Sequence, residues 1–321
     1  MTYHPLTTHQ GVDSLKIPVI DVDQFRTEGH LRELDVACTQ WGCFQIVNHG
    51  IPDVVIASLH TQMEMFFDLP LDKKKAIERT KSNPWGFFDQ ELTKNIQDLK
   101  EIFDVGPKAD SGPLAGSSPQ WPESMPAFKS AIRGFYDASQ AIAEKILAGI
   151  SQNLGMPGDY LTTDFGERQT SFLRLNYYPV WEQARENLGI SHHTDAGAVT
   201  VMAQDMNPGL QICRDDEWHT VVPRSDALVI NIGDIVQVWS NDRYTAPLHR
   251  VLASVATKRY SAPFFFNPDY DLDYAPVAGV VGEDSPALYR SINWGEFRAG
   301  RAAGDYADYG EEIQISHYRL D

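Results

Sequence analysis

From Phe172 onward the chain breaks into short apolar or alternating runs: 172–178, 198–204, 209–213, 218–222, 227–232, 235–239, 248–254 and 259–266. Each is bounded by turn-forming residues. Strands this short bury their apolar faces by packing one sheet on another or by closing a sheet on itself, so this half predicts a double-sheet jelly roll. The half before it reads mostly helical. Pro52 opens a helix over 53–67 that Pro70 stops, and a second helix is expected around 72–80. The strongest helix covers 125–154, where Phe128, Ile132, Phe135, Ile142, Ile146, Ile150 and Leu154 make one stripe and Gly155 follows its end. Such a stripe is core packing that supports a sheet. The expected fold class is mainly β with flanking helices around a double-stranded β-helix, or jelly-roll, core. Residues 1–122 form an amino-terminal region of helices and barrel-edge strands, and residues 123–321 the jelly-roll domain with its long supporting helix; a single structural unit also fits. Residues 105–122, rich in Gly, Pro and Ser, read as a long loop at the rim of a site, and 304–310 as a surface turn with a tail helix.

His193 and Asp195 bracket Thr194 in an extended segment. Residues i and i+2 of a strand share a face, so an imidazole and a carboxylate reach one cation while Thr194 turns away. Ten histidines and 44 acidic residues in 321 make about 1.4 His-x-acid triplets by chance, so the triplet by itself is weak. His249 adds weight, because Leu248-His249-Arg250-Val251 flanks it with apolar residues as a strand would. Two imidazoles and one carboxylate on one side of a metal leave positions open for other molecules, a donor set that favours non-haem Fe(II) and oxygen chemistry. Arg259 and Ser261 repeat the i, i+2 spacing, and a planar guanidinium beside a hydroxyl suits a carboxylate needing two parallel hydrogen bonds. Arg174, Asn176 and Tyr178 alternate with Leu173, Leu175 and Tyr177 as one polar-tipped face of a strand.

These residues stand in a longer order of motifs. It runs through Ile17-Pro18-Val19-Ile20-Asp21, Trp41-Gly42-Cys43-Phe44-Gln45-Ile46-Val47-Asn48-His49-Gly50-Ile51, Phe66-Phe67-Asp68-Leu69-Pro70, Lys100-Glu101-Ile102-Phe103-Asp104 and Trp121-Pro122. It continues through Arg174-Leu175-Asn176-Tyr177-Tyr178-Pro179, Gly209-Leu210-Gln211-Ile212, Asn231-Ile232-Gly233-Asp234, Trp239-Ser240-Asn241 and Arg259-Tyr260-Ser261. In that order the chain resembles, over most of its length, the iron(II)/2-oxoglutarate-dependent dioxygenases of the isopenicillin N synthase and plant flavonoid-oxygenase type. The resemblance implies that His193, Asp195 and His249 hold Fe(II). It implies that Arg259 and Ser261 bind the distal carboxylate of 2-oxoglutarate, with Tyr178 and Asn176 positioning this co-substrate. O2 would be the oxidant and ascorbate an accessory reductant. The implied activity couples oxidative decarboxylation of 2-oxoglutarate to hydroxylation of a small organic molecule, or to its desaturation or cyclisation. Phe265 matches a position where plant members stack an aromatic substrate; within Phe264-Phe265-Phe266 it also suits ordinary core packing.

Two other readings stay open. An isopenicillin N synthase-like oxidase would use Fe(II) and O2 without 2-oxoglutarate and hold its substrate on the arginine–serine pair. Asn176-Tyr177-Tyr178-Pro179 follows the 2-oxoglutarate users, however, and His317-Tyr318-Arg319-Leu320-Asp321 lacks that oxidase's penultimate glutamine. A non-catalytic small-molecule-binding barrel would ordinarily have lost a metal ligand, and none is lost.

Composition excludes other classes. A net charge of −17 repels nucleic-acid phosphates across most of the surface. The same field repels an anionic co-substrate, so a buried arginine such as Arg259 is needed locally. Cys38, Cys43 and Cys213 are odd in number and lack metal-finger spacing, which fits reduced thiols in a cytoplasmic setting. Residues 1–8 carry no basic-then-apolar segment, and no long apolar run occurs, so neither secretion nor membrane insertion is supported. The expected partner is a small-molecule substrate; oligomeric state is not legible. His192 is expected to turn from the metal face, His49 to fasten a turn, Asp234 to form a turn that aligns strands, and Lys100-Glu101 to be a solvated ion pair.

Overall fold

A computed structural model describes residues 16–23, 28–93, 96–109, 114–166, 168–181, 188–254, 256–303 and 313–320. The first elements are β1 (Val19–Asp21), α1 (Glu28–Gln40), β2 (Cys43–Val47), α2 (Asp53–Phe67) and α3 (Leu71–Lys75). Then come β3 (Gly86–Phe88), the hairpin β4 (Leu92–Thr93) and β5 (Ile96–Gln97), β6 (Glu101–Val105) and the long α4 (Pro126–Asn153). The barrel strands follow as β7 (Phe172–Tyr178), β8 (Leu188–His193), β9 (Val199–Gln204), β10 (Leu210–Arg214), β11 (Glu217–Thr220) and β12 (Leu228–Ile232). After α5 (Asp234–Trp239) the chain adds β13 (His249–Leu252), β14 (Arg259–Phe266), β15 (Asp273–Tyr274), β16 (Ile292–Asn293) and α6 (Trp294–Ala303).

The major sheet has the order β1-β2-β12-β9-β14-β7-β6-β3 and the minor sheet β11-β10-β13-β8. Trp41, Met202, Leu210, Ile212, Val229 and Val251 fill the space between them, the two-sheet packing of a jelly roll. Alternation along each strand sends the other side chains of the major sheet outward, where Leu173, Leu175, Val201 and Phe264 meet Phe128, Ile132 and Phe135 of α4. Burial of each such side chain stabilises the fold by roughly 1.5–3 kcal/mol. Strands β1, β2, β3 and β6, all before residue 122, join the same sheet as β7, β9, β12 and β14.

The helices α2 and α4 stand where the apolar periodicity predicts them, with Pro52 as the N-cap of α2 and Gly155 in the left-handed region (φ 77°) after α4. Two expectations fail for physical reasons. The run 72–80 is helical only to Lys75, because the Arg79 N–H bonds the Phe87 carbonyl and Thr80 pairs with Asn83, which draws the backbone out of the helix. The run 235–239 forms α5 rather than a strand, and Asp234 opens that helix rather than a turn between strands. The Asp234 N–H bonds the Asp195 carbonyl at 2.8 Å and the Ile235 N–H that of Gly197 at 3.2 Å, so docking on the loop after β8 decides a short apolar run whose own period is ambiguous. The region 304–310 lies outside the described residues. No helix among them is long and apolar enough to cross a membrane.

Candidate functional site

Register places the two histidines. On the minor sheet His193 ends β8, His249 begins β13, and the two are direct antiparallel partners. Their rings lie 4.3 Å apart between centroids. Asp195, 6% exposed and one residue beyond Thr194, turns into the same space, its Oδ1 3.6 Å from His249 Nε2. One ligand atom from each of His193, Asp195 and His249 lies within 4.8 Å of the other two, the only such cluster of three among the described residues. The non-ligating atoms are engaged elsewhere. His193 Nδ1 bonds the Ser191 carbonyl at 2.8 Å and His249 Nδ1 that of Pro247 at 3.0 Å. A ring nitrogen facing a carbonyl carries the proton, so each Nε2 keeps its lone pair. Burial, then the neighbouring His249 imidazole, pushes His193 well below the usual imidazole range, which keeps it neutral as a metal requires. Thr200 donates to Asp195 Oδ2 at 2.7 Å and Asn231 at 3.4 Å, leaving Oδ1 directed at the histidines. As a donor set this fits one divalent ion with open positions.

Arg259 begins β14 and pairs with Tyr178 of β7, while Ser261 pairs with Asn176 on one side and Gln204 of β9 on the other. Arg259 is 2% exposed. It donates to Gln204 Oε1 at 3.0 Å and to Ser261 Oγ at 3.4 Å, and Asn176 Nδ2 reaches the same hydroxyl at 3.4 Å. Its guanidinium carbon sits 5.1 Å from the Tyr178 ring centre. No Asp or Glu among the described residues pairs with it. Arg259 Nε, Gln204 Nε2, Asn176 Oδ1 and Asn231 Oδ1 are buried with no hydrogen-bond partner among those residues. Leaving a buried polar atom unpaired costs roughly 1–3 kcal/mol, so this wall suits a polar guest, and the Arg259 guanidinium suits one that carries a carboxylate.

At the other end of β7 and β14, Phe265 packs on Phe172 with centroids 4.8 Å apart, and Trp85 lies 6.0 Å from Phe172. Phe264 and Phe266 belong to the main core, whereas Phe265 faces the barrel interior, paired across strands with Thr200. The Arg298 guanidinium of α6 lies 5.5 Å from the Phe172 ring centre and makes no ion pair among the described residues.

Lys100 and Glu101 correct an expectation, since they form no solvated pair with each other but take separate partners. Lys100 is buried and pairs with Glu91 at 2.8 Å and Asp98 at 3.1 Å, while Glu101 pairs with Lys74. Arg174 bonds Asp104 through two nitrogens at 2.8 Å and Glu91 at 2.8 Å, and Arg79 reaches both carboxylates at 3.3 Å. Three cations, Arg79, Lys100 and Arg174, thus meet three carboxylates, Glu91, Asp98 and Asp104, around β6 and β7. His49 fastens a turn, accepting from the Ile51 N–H, and His192 is exposed. Sequence reasoning passed over Thr200, Gln204 and Asn231. Their signal is polar side chains at inward positions of otherwise apolar strands, Thr200 and Gln204 on β9 and Asn231 on β12.

Residues 169–268 match the model of the 2OG-Fe(II) oxygenase superfamily, and residues 17–127 that of the non-haem dioxygenase in morphine synthesis N-terminal region. Jasmonate-induced oxygenase 4 of Arabidopsis thaliana is 30% identical over 301 residues, covering 91% of this chain and 84% of that protein. Flavanone 3-dioxygenase 2 of Oryza sativa subsp. japonica is 30% identical over 297 residues, covering 89% and 83%. Among solved structures, JOX2 in complex with 2OG, Fe and JA superposes with a TM-score of 0.79 at 28% identity, covering 90% of this chain and 87% of that one. Full-length Neurospora crassa T7H in complex with alpha-KG gives 0.80 at 25% identity, covering 92% and 98%.

Proposed function

Because the chain belongs to the 2OG-Fe(II) oxygenase superfamily, we propose that His193, Asp195 and His249 are its iron ligands and that Arg259 and Ser261, aided by Tyr178 and Asn176, hold its co-substrate. The protein is a 2-oxoglutarate-dependent dioxygenase that couples oxidative decarboxylation of 2-oxoglutarate to O2-dependent oxidation of a small organic molecule. One observation carries the residue assignment: the convergence of one nitrogen from each of two imidazoles and one carboxylate oxygen inside the barrel, whose interior also carries a buried arginine with no carboxylate partner among the described residues.

Iron and 2-oxoglutarate, when bound, supply the activation of O2 and the loss of carbon dioxide that leaves succinate. The chain's own residues set the conditions. The carbonyls of Ser191 and Pro247 hold the imidazoles in the ligating tautomer. Thr200 and Asn231 occupy the second oxygen of Asp195. Arg259 compensates the distal negative charge of the co-substrate inside a protein of net charge −17, and Ser261 adds a hydroxyl alongside it. Met202, Val229 and Val251 keep the space between the sheets dry.

The prime substrate lies against Phe172 and Phe265 in this reading, with Arg298 available to an anionic or carbonyl oxygen. A small, largely apolar molecule with one such group fits, in keeping with relatives whose names speak of JA and flavanone. A cytoplasmic location belongs to the same reading, supported by the free and buried thiols of Cys38 and Cys43.

The test is turnover. Purified protein with Fe(II) and ascorbate is expected to convert 2-oxoglutarate to succinate only when O2 is present. His193→Ala and Asp195→Ala should lose both iron and turnover while remaining folded. Iron binding and succinate formation retained in either variant remove the ligand assignment.

A further inference from the structure

We propose that Arg301 of α6 is a positioning residue for the metal centre: it fixes the Thr194–Asp195 peptide, so that the carboxy-terminal segment, and not the barrel alone, sets the affinity of the ligand set. The proposal rests on the reading of His193, Asp195 and His249 as the iron ligands. Thr194 separates two of them, and rotation of the peptide after it swings the Asp195 side chain relative to His193. Its carbonyl accepts from Arg301 Nη2 at 2.8 Å. The other contacts that hold the ligands come from the barrel or from α5: Ser191 on His193, Pro247 on His249, the Asp234 N–H on the Asp195 carbonyl, and Thr200 and Asn231 on the carboxylate. Arg301 alone among these groups lies beyond the last barrel strand.

The guanidinium is itself held. Arg301 is 8% exposed, and its Nη1 donates to Gln314 Oε1 at 2.7 Å and to the Ile313 carbonyl at 3.5 Å. Ile313 reaches that place because residue 300 is glycine; a Cβ there would stand 2.7 Å from Ile313 Cγ2. One planar fork therefore ties the tail at 313–314 to the peptide between two ligands, a span that a lysine, with a single nitrogen, does not cover. A fixed positive charge next to a cation site is an electrostatic cost, offset in part by the Asp234 carboxylate 4.0 Å from Nη2. Simple packing of the tail would be served by a neutral donor without that cost. Holding a carbonyl from a rigid, buried, charged fork favours one peptide orientation more strongly.

The experiment is titration of the metal-free full chain with Co(II), followed by the visible ligand-field absorption of the bound ion. Loss of a group that orients a ligand typically lowers metal affinity 10- to 100-fold; Arg301→Met is expected in that range with an altered Co(II) spectrum, Gln314→Leu within about twofold of the parent. Gln314→Leu removes the tail contact but leaves the bond to Thr194, so equal losses in the two variants would mean tail packing and overturn the proposal. Parent-like affinity and spectrum in Arg301→Met overturn it as well. Should Arg301→Met not fold, Arg301→Lys decides: weakened Co(II) binding in a folded protein supports the role, and parent-like binding ends it. His193→Ala separates the two levels of inference. Undiminished Co(II) binding in that variant removes the ligand assignment itself, whereas its loss beside a parent-like Arg301→Met removes only the role of Arg301.

Discussion

Thr200 Oγ1 donates to Asp195 Oδ2 at 2.7 Å, so the barrel engages one oxygen of that carboxylate and leaves the other 3.6 Å from His249 Nε2. The hydroxyl comes from β9 of the major sheet and the carboxylate from the loop after β8 of the minor sheet. The bond therefore spans the two layers and holds Asp195 to a single-oxygen approach.

Thr200→Val keeps the shape and removes the donor. The buried Oδ2 would retain only the 3.4 Å contact from Asn231, and loss of such an orienting partner predicts a 10- to 100-fold weaker metal site. Co(II) titration and circular dichroism together check this; an unchanged Kd would show that Asp195 is oriented by something else.

Arg259→Met should weaken 2-oxoglutarate binding by about 30-fold or more, the lower end of the roughly 2–5 kcal/mol lost when one partner of a buried charge pair is truncated. Arg259→Lys should fall between, since it keeps charge but not the fork toward Gln204 and Ser261. Calorimetric titration of the metal-loaded protein with 2-oxoglutarate measures both, and parent-like binding by Arg259→Met would move the co-substrate elsewhere in the barrel.

Gly233 and Gly134 make opposite predictions. A Cβ at Gly233 would stand 2.1 Å from the Gly197 carbonyl and 2.8 Å from that of Asp195, both main chain, whereas nothing lies within 4 Å of one at Gly134. Gly233→Ala is expected to cost about 1–3 kcal/mol or more and to weaken the metal site by shifting the Asp195 loop. Gly134→Ala, exposed within α4, should stabilise by about 0.5–1 kcal/mol. Urea unfolding of both, with Co(II) binding for the first, tests the pair.

Glu91→Gln should destabilise by about 3–5 kcal/mol, because it leaves Arg174, Lys100 and Arg79 one carboxylate short in a buried setting. Burial alone would raise the Glu91 carboxyl, but Arg174, Lys100 and Arg79 outweigh it and hold the group well below the usual range. A lowered folded value contributes stability above the unfolded pKa of about 4.3 and loses it as pH falls through the folded value. The difference between parent and Glu91→Gln should therefore narrow below about pH 4. Burial alone would lower Lys100, but Asp98 and Glu91 hold it above its usual range, so its share persists below the unfolded value of about 10.4 and fades as pH rises through the folded one. Unfolding midpoints against pH that run parallel for parent and variant down to strong acid would refute the charge-balance account.

That Arg259 and Ser261 share a face was legible because they stand two residues apart on one strand, a rule that needs no knowledge of neighbours, whereas Asp195 reaches the space beside His193 from the loop after β8. The partners of those groups were not legible. Gln204 meets Arg259 only through the pairing of β9 with β14, and Thr200 meets Asp195 only through the packing of two sheets. Lys100 read as a surface residue from its type alone, yet it stands just before β6, buried against the carboxylates of Glu91 and Asp98. The run 235–239 read as a strand because a short apolar stretch carries no period long enough to separate strand from helix.

Sequence by itself determined the jelly-roll class, the long helix α4, and the donor types at the centre, since apolar period and residue chemistry are properties of near neighbours along the chain. Tertiary structure alone decided which oxygen of Asp195 faces the histidines, that Arg79, Lys100 and Arg174 meet Glu91, Asp98 and Asp104, and that a helix after the barrel grips the peptide between Thr194 and Asp195. The reason is that a buried polar group must find its partner wherever strand register and layer packing bring one.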